Sequence, residues 1–201
     1  EVPSRGLGDV YKRQAKTLLR DVFGFKKFRP GQLEIIDAVA CGENVLAIMP
    51  TGGGKSLCFQ LPALLNDGLT VVISPLIALM RDQVRGLKAV GVAAGAITSG
   101  NTQEEVDQVL SQIYSGDLKL LYLAPERLVS RKIQNILSSA TVTSIAVDEA
   151  HCVSQWGHDF RPDYLGIGEL RRKLCVPLSA FTATADKETQ REIMAVSYTH
   201  L

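Results

Sequence analysis

Met49-Pro50-Thr51-Gly52-Gly53-Gly54-Lys55-Ser56, or MPTGGGKS, follows directly on the apolar run Val45-Leu46-Ala47-Ile48. Consecutive glycines admit backbone angles and approach distances that a Cβ forbids, so something must come close to the main chain here. A short apolar strand, a glycine-rich turn and a Lys-Ser pair opening a helix make a loop whose backbone N–H groups can wrap phosphates, with the helix dipole adding to the attraction. The expected visitor is a nucleoside polyphosphate. Pro50, Thr51, Gly52, Gly53, Gly54, Lys55, Ser56 and Leu57 are the expected nucleotide-binding stretch, with Lys55 on the outer phosphates and the Ser56 hydroxyl on a magnesium ion. The strict pattern has glycine where this chain has Met49. For the loop taken alone, a plain glycine turn with an incidental lysine stays open.

A second piece of chemistry lies downstream. Ser144-Ile145-Ala146-Val147 reads as a buried strand that delivers Asp148 and Glu149 at its carboxyl end, followed by Ala150 and His151. Adjacent side chains at a strand end point apart, so the two acids can take different tasks. Asp148 suits a magnesium ligand, being a hard oxygen donor, and Glu149 suits the group that orients or deprotonates an attacking water. An acidic loop after a buried strand is common by itself, but both halves in one chain point to a nucleoside triphosphatase. His151 reads as a hydrogen-bond partner between these acids and the Thr182–Thr184 segment, not as a metal ligand. Lys55, Asp148, Glu149 and His151 are the expected catalytic set.

Around these motifs, short β-rich apolar runs alternate with longer amphipathic segments, the signature of strand and crossover-helix units. Strands are expected over 44–49, 70–74, 92–97, 118–124, 144–148 and 178–182. Several are apolar at consecutive positions, as strands buried on both faces of a parallel sheet should be. Thr102-Gln103-Glu104-Glu105 reads as a capping box ahead of Val106, Val109, Leu110 and Ile113 at helical spacing. The expected fold is one α/β domain, a mostly parallel sheet flanked by helices on both faces, with its ligands at the carboxyl ends of the strands.

With 201 residues, 46% of them hydrophobic, the chain has material for one domain with a real core. Its 22 basic and 21 acidic residues give a net charge of +1, so a nucleic-acid partner would have to be held by a local patch. Cys41, Cys58, Cys152 and Cys175 lie far apart, without the paired spacing of a zinc site or disulfide framework, which fits a reducing cytoplasmic compartment. No apolar run approaches the roughly 20 residues of a membrane span, so no membrane partner is expected. EVPSRGLGDVYKRQ shows neither an initiator Met nor a period, and SYTHL breaks off a helical pattern without a cap. Residues 1–14 and 197–201 therefore read as non-native flanks around a domain at 15–196.

Asp148-Glu149-Ala150-His151 together with MPTGGGKS resembles the superfamily 2 helicases, which implies a RecA-like first lobe. Other stretches resemble the RecQ-type DNA helicases in particular. Phe23-Gly24-Phe25-Lys26-Lys27-Phe28-Arg29-Pro30-Gly31-Gln32 is similar to that family's segment ahead of the phosphate loop, which implies adenine contacts from Phe25, Arg29 and Gln32. An aromatic face and a carboxamide suit the face and edge of a base, while Phe23 and Phe28 read as core. Residues 152–164, CVSQWGHDFRPDY, resemble the RecQ aromatic-rich loop, which implies single-stranded DNA contacts from Trp156, His158, Phe160 and Arg161. Aromatics interleaved with a cation can stack on unpaired bases, and by pattern alone the lesser alternative, Trp156 plugging the end of the domain, stays open.

Residues 74–84, SPLIALMRDQV, and 123–128, LAPERL, resemble stretches along the family's single-strand track, which brings in Ser74, Pro75 and Arg127. Thr182-Ala183-Thr184-Ala185 resembles the segment that couples hydrolysis to movement. For Ser74 and Thr182 the role of an ordinary helix cap stays open. The resemblance spans 15–196 and implies ATP and Mg2+ as cofactors, 3′ to 5′ movement along single-stranded DNA with duplex unwinding, and a monomer. It also implies a second RecA-like lobe, missing from this chain, whose arginine finger completes the site; the chain alone is expected to be very weakly active. The rival readings are a nucleotide- or DNA-binding module without useful turnover and the lobe of an RNA helicase, against which the Trp156 loop and the Phe25–Gln32 segment speak.

Overall fold

The computed structural model of the chain describes residues 5–155 and 158–198. Its sheet has six strands, β1 (Val45–Ile48), β2 (Leu69–Ile73), β3 (Ala94–Ile97), β4 (Leu120–Leu123), β5 (Val142–Val147) and β6 (Leu178–Thr182). They lie in the order β1-β6-β5-β2-β4-β3, and every pairing is parallel. Each expected strand is present, with ends displaced by no more than two residues.

Parallel neighbours cannot be joined by a hairpin, so every connection must cross over. The crossovers are α3 (Leu57–Leu65), α4 (Ile77–Ala89), α5 (Gln103–Ser115), α6 (Arg131–Ser139) and α7 (Gly166–Leu174). Helices α1 (Arg5–Asp21) and α2 (Gln32–Ala40) precede β1, and α8 (Lys187–Tyr198) follows β6. Helix α1 begins inside the segment read as a flank, and its Ala15 and Leu19 are buried in the core.

Strand alternation sorts the core into two layers. Val71, Ile73, Leu121, Leu123, Ile145 and Val147 face α5 to α8, meeting Val109, Ile133, Leu170 and Ile193. Val72, Leu120, Tyr122, Ala146 and Phe181 face α1 to α4, meeting Leu19, Ile36, Phe59 and Met80. Because both faces are covered, the interior strands carry apolar residues at consecutive positions. Phe59 of α3 and Phe181 of β6 meet edge to face, with ring centroids 5.4 Å apart, which pins α3 over β6.

Local signals in the sequence act as expected at α5. Glu105 N donates to Thr102 Oγ1 at 3.2 Å and Thr102 N donates to Glu105 Oε2 at 2.8 Å, a reciprocal capping box. Gly116, at φ 78°, ends the helix in the left-handed region. Among the described residues no helix is long and apolar enough to cross a membrane.

Candidate nucleotide site and nucleic-acid track

The strand order sets the site. Only β6 separates β1 from β5, so the loop after β1 and the acids after β5 emerge roughly 10 Å apart, two strand spacings, on the carboxyl edge of the sheet. Met49 continues the ladder beyond β1, its N–H donating to Thr182 O at 2.9 Å, and Asp148 N donates to Ile73 O at 2.8 Å. This explains why Met49 stands where the usual phosphate-loop pattern has glycine. The position lies just past the end of β1, still bonded to the β6 backbone, and its side chain is buried beside the Cys58 thiol, 3.9 Å from Sγ to Sδ.

The turn itself starts after Pro50. Gly53 N donates to Pro50 O at 2.8 Å, and a Cβ on Gly53 would stand 2.8 Å from that same oxygen. Gly54 has φ +82°, and a Cβ there would run into Gln32 Nε2. The glycines therefore keep open a main-chain cradle that side chains would fill, leading into α3 at Leu57. Lys55 and Ser56 are half-buried at its end. Ser56 Oγ accepts a 3.1 Å hydrogen bond from Gln83 Nε2, a contact between α3 and α4 that no motif announces.

Asp148 is 5% exposed and accepts from Glu149 N at 3.0 Å. Burial, reinforced by the neighbouring Glu149 charge, pushes its carboxyl up to about 6, against the opposing pull of the Glu149 N–H, Lys55 and Ser74. That Lys55 acts on Asp148 at all puts the loop and the acid in one electrostatic neighbourhood. A buried, reluctantly ionised carboxylate beside a hydroxyl and a phosphate cradle is a hard oxygen donor set suited to Mg2+. Ser56 and Asp148 are the residues that would hold it.

Glu149 turns away from Asp148 through a left-handed backbone, φ 49° and ψ 47°, a conformation that disfavours a side-chain-bearing residue by about 1 to 2 kcal/mol. Two devices hold that turn. Tyr164, fully buried, donates its hydroxyl to Asp148 O at 3.0 Å. His151 Nδ1 lies 2.9 Å from Thr182 Oγ1 and 3.4 Å from Glu149 Oε2. Thr182 Oγ1 also donates to Thr184 O at 3.0 Å, which ties the histidine contact to the backbone of that segment. The expected bridge to the Thr182–Thr184 segment is thus present and runs to Glu149, not Asp148. Among the described residues no group of three His, Cys, Asp or Glu side chains is placed to hold a metal ion. All four cysteines are free thiols.

The sequence profile of the DEAD/DEAH box helicases matches residues 29–193. This chain belongs to the DEAD/DEAH box helicase family. It is 49% identical over 186 residues to an ATP-dependent DNA helicase RecQ of Haemophilus influenzae, covering 92% of this chain and 30% of that one. It is 50% identical to the RecQ of Pasteurella multocida over 91% of this chain and 29% of the relative. These similarities bear out the resemblance to RecQ helicases, and the chain spans about 30% of the length of these relatives. The fold matches the helicase domain of Pyrococcus furiosus Hef with a TM-score of 0.67 at 21% identity, over 89% of this chain and 37% of that one. The RecA-like architecture is thereby established.

In this helicase-family domain the adenine candidates gather beside the phosphate loop. Phe25, Arg29 and Gln32 line one cleft of about 270 Å3 with Gly54 and Ser56. Phe25 is 54% exposed, as a stacking face must be, whereas Phe23 and Phe28 pack against the core. Gln32 is buried, with Oε1 accepting from Arg29 N at 2.7 Å and Nε2 donating to Gly54 O at 3.2 Å. Arg29 Nη1 bonds to Gly52 O. Both side chains therefore grip the loop itself, and Gln32 keeps one amide hydrogen for a base edge.

The DNA candidates divide. Ser74 is buried just past the end of β2 and its hydroxyl lies toward Asp148, without a hydrogen bond of good geometry, so it faces that carboxylate and not solvent. Pro75 O accepts from Arg161 Nη1 at 3.4 Å, and Arg161 N is anchored to Cys152 O at 2.8 Å, which ties the aromatic-rich loop to the start of α4. Arg127 is half-buried and donates to Thr98 O at 2.9 Å, holding the β3–α5 loop. His158 is exposed and Phe160 half-buried, and Trp156 lies outside the described residues. Asp159, absent from the expected set, reaches back to His151 Nε2 at 3.5 Å and joins this loop to the acid site. Gln83, Asp159 and Tyr164 lie inside the stretches 74–84 and 152–164, but nothing in the sequence assigns them these contacts.

Proposed function

We propose that this chain is the first motor lobe of a RecQ-type 3′ to 5′ DNA helicase, with its domain at 15–196. In the complete enzyme, ATP hydrolysis would drive movement along single-stranded DNA and open the duplex. The observation that carries the reading is the convergence of a side-chain-free phosphate cradle with a buried and a half-exposed acid across a single intervening strand. The relatives are named as ATP-dependent DNA helicases, which supports the same substrate class.

Each residue then has a task. The backbone of Pro50 to Leu57 binds the phosphates, Lys55 neutralises the outer ones, and Phe25, Arg29 and Gln32 orient the base. Ser56 and Asp148 would hold Mg2+, which would supply charge neutralisation on the phosphates. Glu149 orients and deprotonates the attacking water, with His151 fixing its carboxylate through the Thr182 contact. Pro75, Arg127, Trp156, His158, Phe160 and Arg161 form the single-strand track, Ser74 lies buried behind Pro75 toward Asp148, and the Asp159 to His151 contact gives that track a route to Glu149. A second lobe adds the arginine finger, worth about 10³ to 10⁵ in rate, so hydrolysis by this lobe alone is very slow. The protein acts as a cytoplasmic monomer.

Turnover of ATP by the 201-residue chain, with and without single-stranded DNA, tests the proposal. A slow rate that DNA raises, and that Glu149→Gln abolishes, is the expected result. A rate untouched by Glu149→Gln, or tighter binding to single-stranded RNA than to DNA of equal sequence, would overturn it.

A further inference from the structure

The Ser56 hydroxyl is held from the far side by a relay of carboxamides. Gln83, on the second turn of α4, donates Nε2 to Ser56 Oγ at 3.1 Å. Its own Oε1 lies 3.4 Å from Gln60 Nε2, and Gln60 Nε2 also donates to Tyr122 OH at 2.9 Å. Gln60 is 8% exposed and Tyr122 1%, so this end of the relay is anchored in the core. Both hydrogens of Gln60 Nε2 are then in use, one on Tyr122 and one on Gln83. Gln83 must present its oxygen to Gln60, which leaves its NH2 group facing Ser56.

The consequence lies in the valence of the hydroxyl. A serine Oγ has one proton and two lone pairs. With one lone pair taken by Gln83, the other lone pair and the proton remain, the pair of functions needed to ligate a cation while donating to a neighbouring acceptor. We propose that Gln83 is a positioning residue that sets Ser56 Oγ with one lone pair free for magnesium, and so governs how strongly magnesium enhances nucleotide binding. This rests on the reading of Ser56 as a magnesium ligand. Groups that orient a metal ligand commonly change metal affinity about 10- to 100-fold when removed.

The test measures dissociation constants of a fluorescent ADP for the 201-residue chain in excess MgCl2 and in excess EDTA. The ratio, the EDTA value divided by the MgCl2 value, isolates the magnesium contribution. Gln83→Met fills a similar volume without a donor at a half-exposed position, so the chain should fold. It should lower the ratio at least about 10-fold and leave the EDTA value unchanged. Gln83→Asn, one methylene short of the contact, should do the same, and Gln60→Met should act in the same direction by a smaller factor. Equal weakening in both media would show a structural role and overturn the proposal. An unchanged ratio in Gln83→Met, with the ratio lost in Ser56→Ala, would overturn it and leave Ser56 as the metal ligand. An unchanged ratio in Ser56→Ala would remove both readings together.

Discussion

Replacing Asp148 by Asn should stabilise the ligand-free chain, by an amount that depends on pH. The carboxyl is 5% exposed and sits at about 6, raised from 3.8 by burial first and by Glu149 second. A carboxyl whose folded pKa exceeds its unfolded value holds its proton more tightly in the folded chain, so ionising it weakens the fold. Below about pH 4 both states keep the proton and nothing is lost; the loss grows as pH rises to about 6 and is complete above it. At about 1.4 kcal/mol per unit, a difference of roughly two units amounts to on the order of 3 kcal/mol. Asn retains an oxygen for the 3.0 Å bond from Glu149 N and cannot ionise. The two proteins should therefore match near pH 4 and differ by about 3 kcal/mol at pH 8, about 6 to 12 °C in Tm for a chain of this size. Calorimetry in EDTA across that range, taken as a difference so that other titrating groups cancel, gives the comparison. Added magnesium and nucleotide should then favour the wild type alone, since the ionised carboxylate is the form that binds a cation. A variant less stable than wild type at the upper end, or a difference that ignores pH, would refute the reasoning.

Two further substitutions separate the loop from the scaffold. Gly53→Ala sets a Cβ 2.8 Å from Pro50 O, which only a shift of the loop can relieve, so nucleotide affinity measured by calorimetric titration should fall while Tm barely moves. Thr102→Ala removes half of the capping box and should cost about 1 kcal/mol, or about 2 to 4 °C in thermal unfolding, with nucleotide affinity unchanged.

The sheet is largely legible because its strands are buried on both faces, so that runs such as Val71–Ile73 and Leu120–Leu123 are continuously apolar and end near a ligand or a turn. The cradle was legible for a related reason: glycine is the residue a close backbone approach demands. The strand order was not, since period-2 patterns say which face a residue takes and nothing about which strand lies beside it. Helix α1 went unread where Gly6 and Gly8 dilute its pattern, although Tyr11, Ala15, Leu18 and Leu19 keep a helical spacing. The left-handed turn at Glu149 carries no sequence signal, because Glu is not a residue that favours it. Gln83 and Tyr164 reach their partners across 27 and 16 residues by side chain alone, and no local period encodes such contacts. Resemblance places Ser74 on the DNA track, while burial just past a strand end turns its hydroxyl to Asp148.

A crystal structure of the chain with Mg2+ and a non-hydrolysable ATP analogue tests the central claim most directly. The account predicts the triphosphate in the Gly52–Ser56 cradle, with the ion about 2.0 to 2.1 Å from Ser56 Oγ and bound to Asp148 directly or through one water. A triphosphate seated elsewhere, or an ion that touches neither Ser56 nor Asp148, would contradict it.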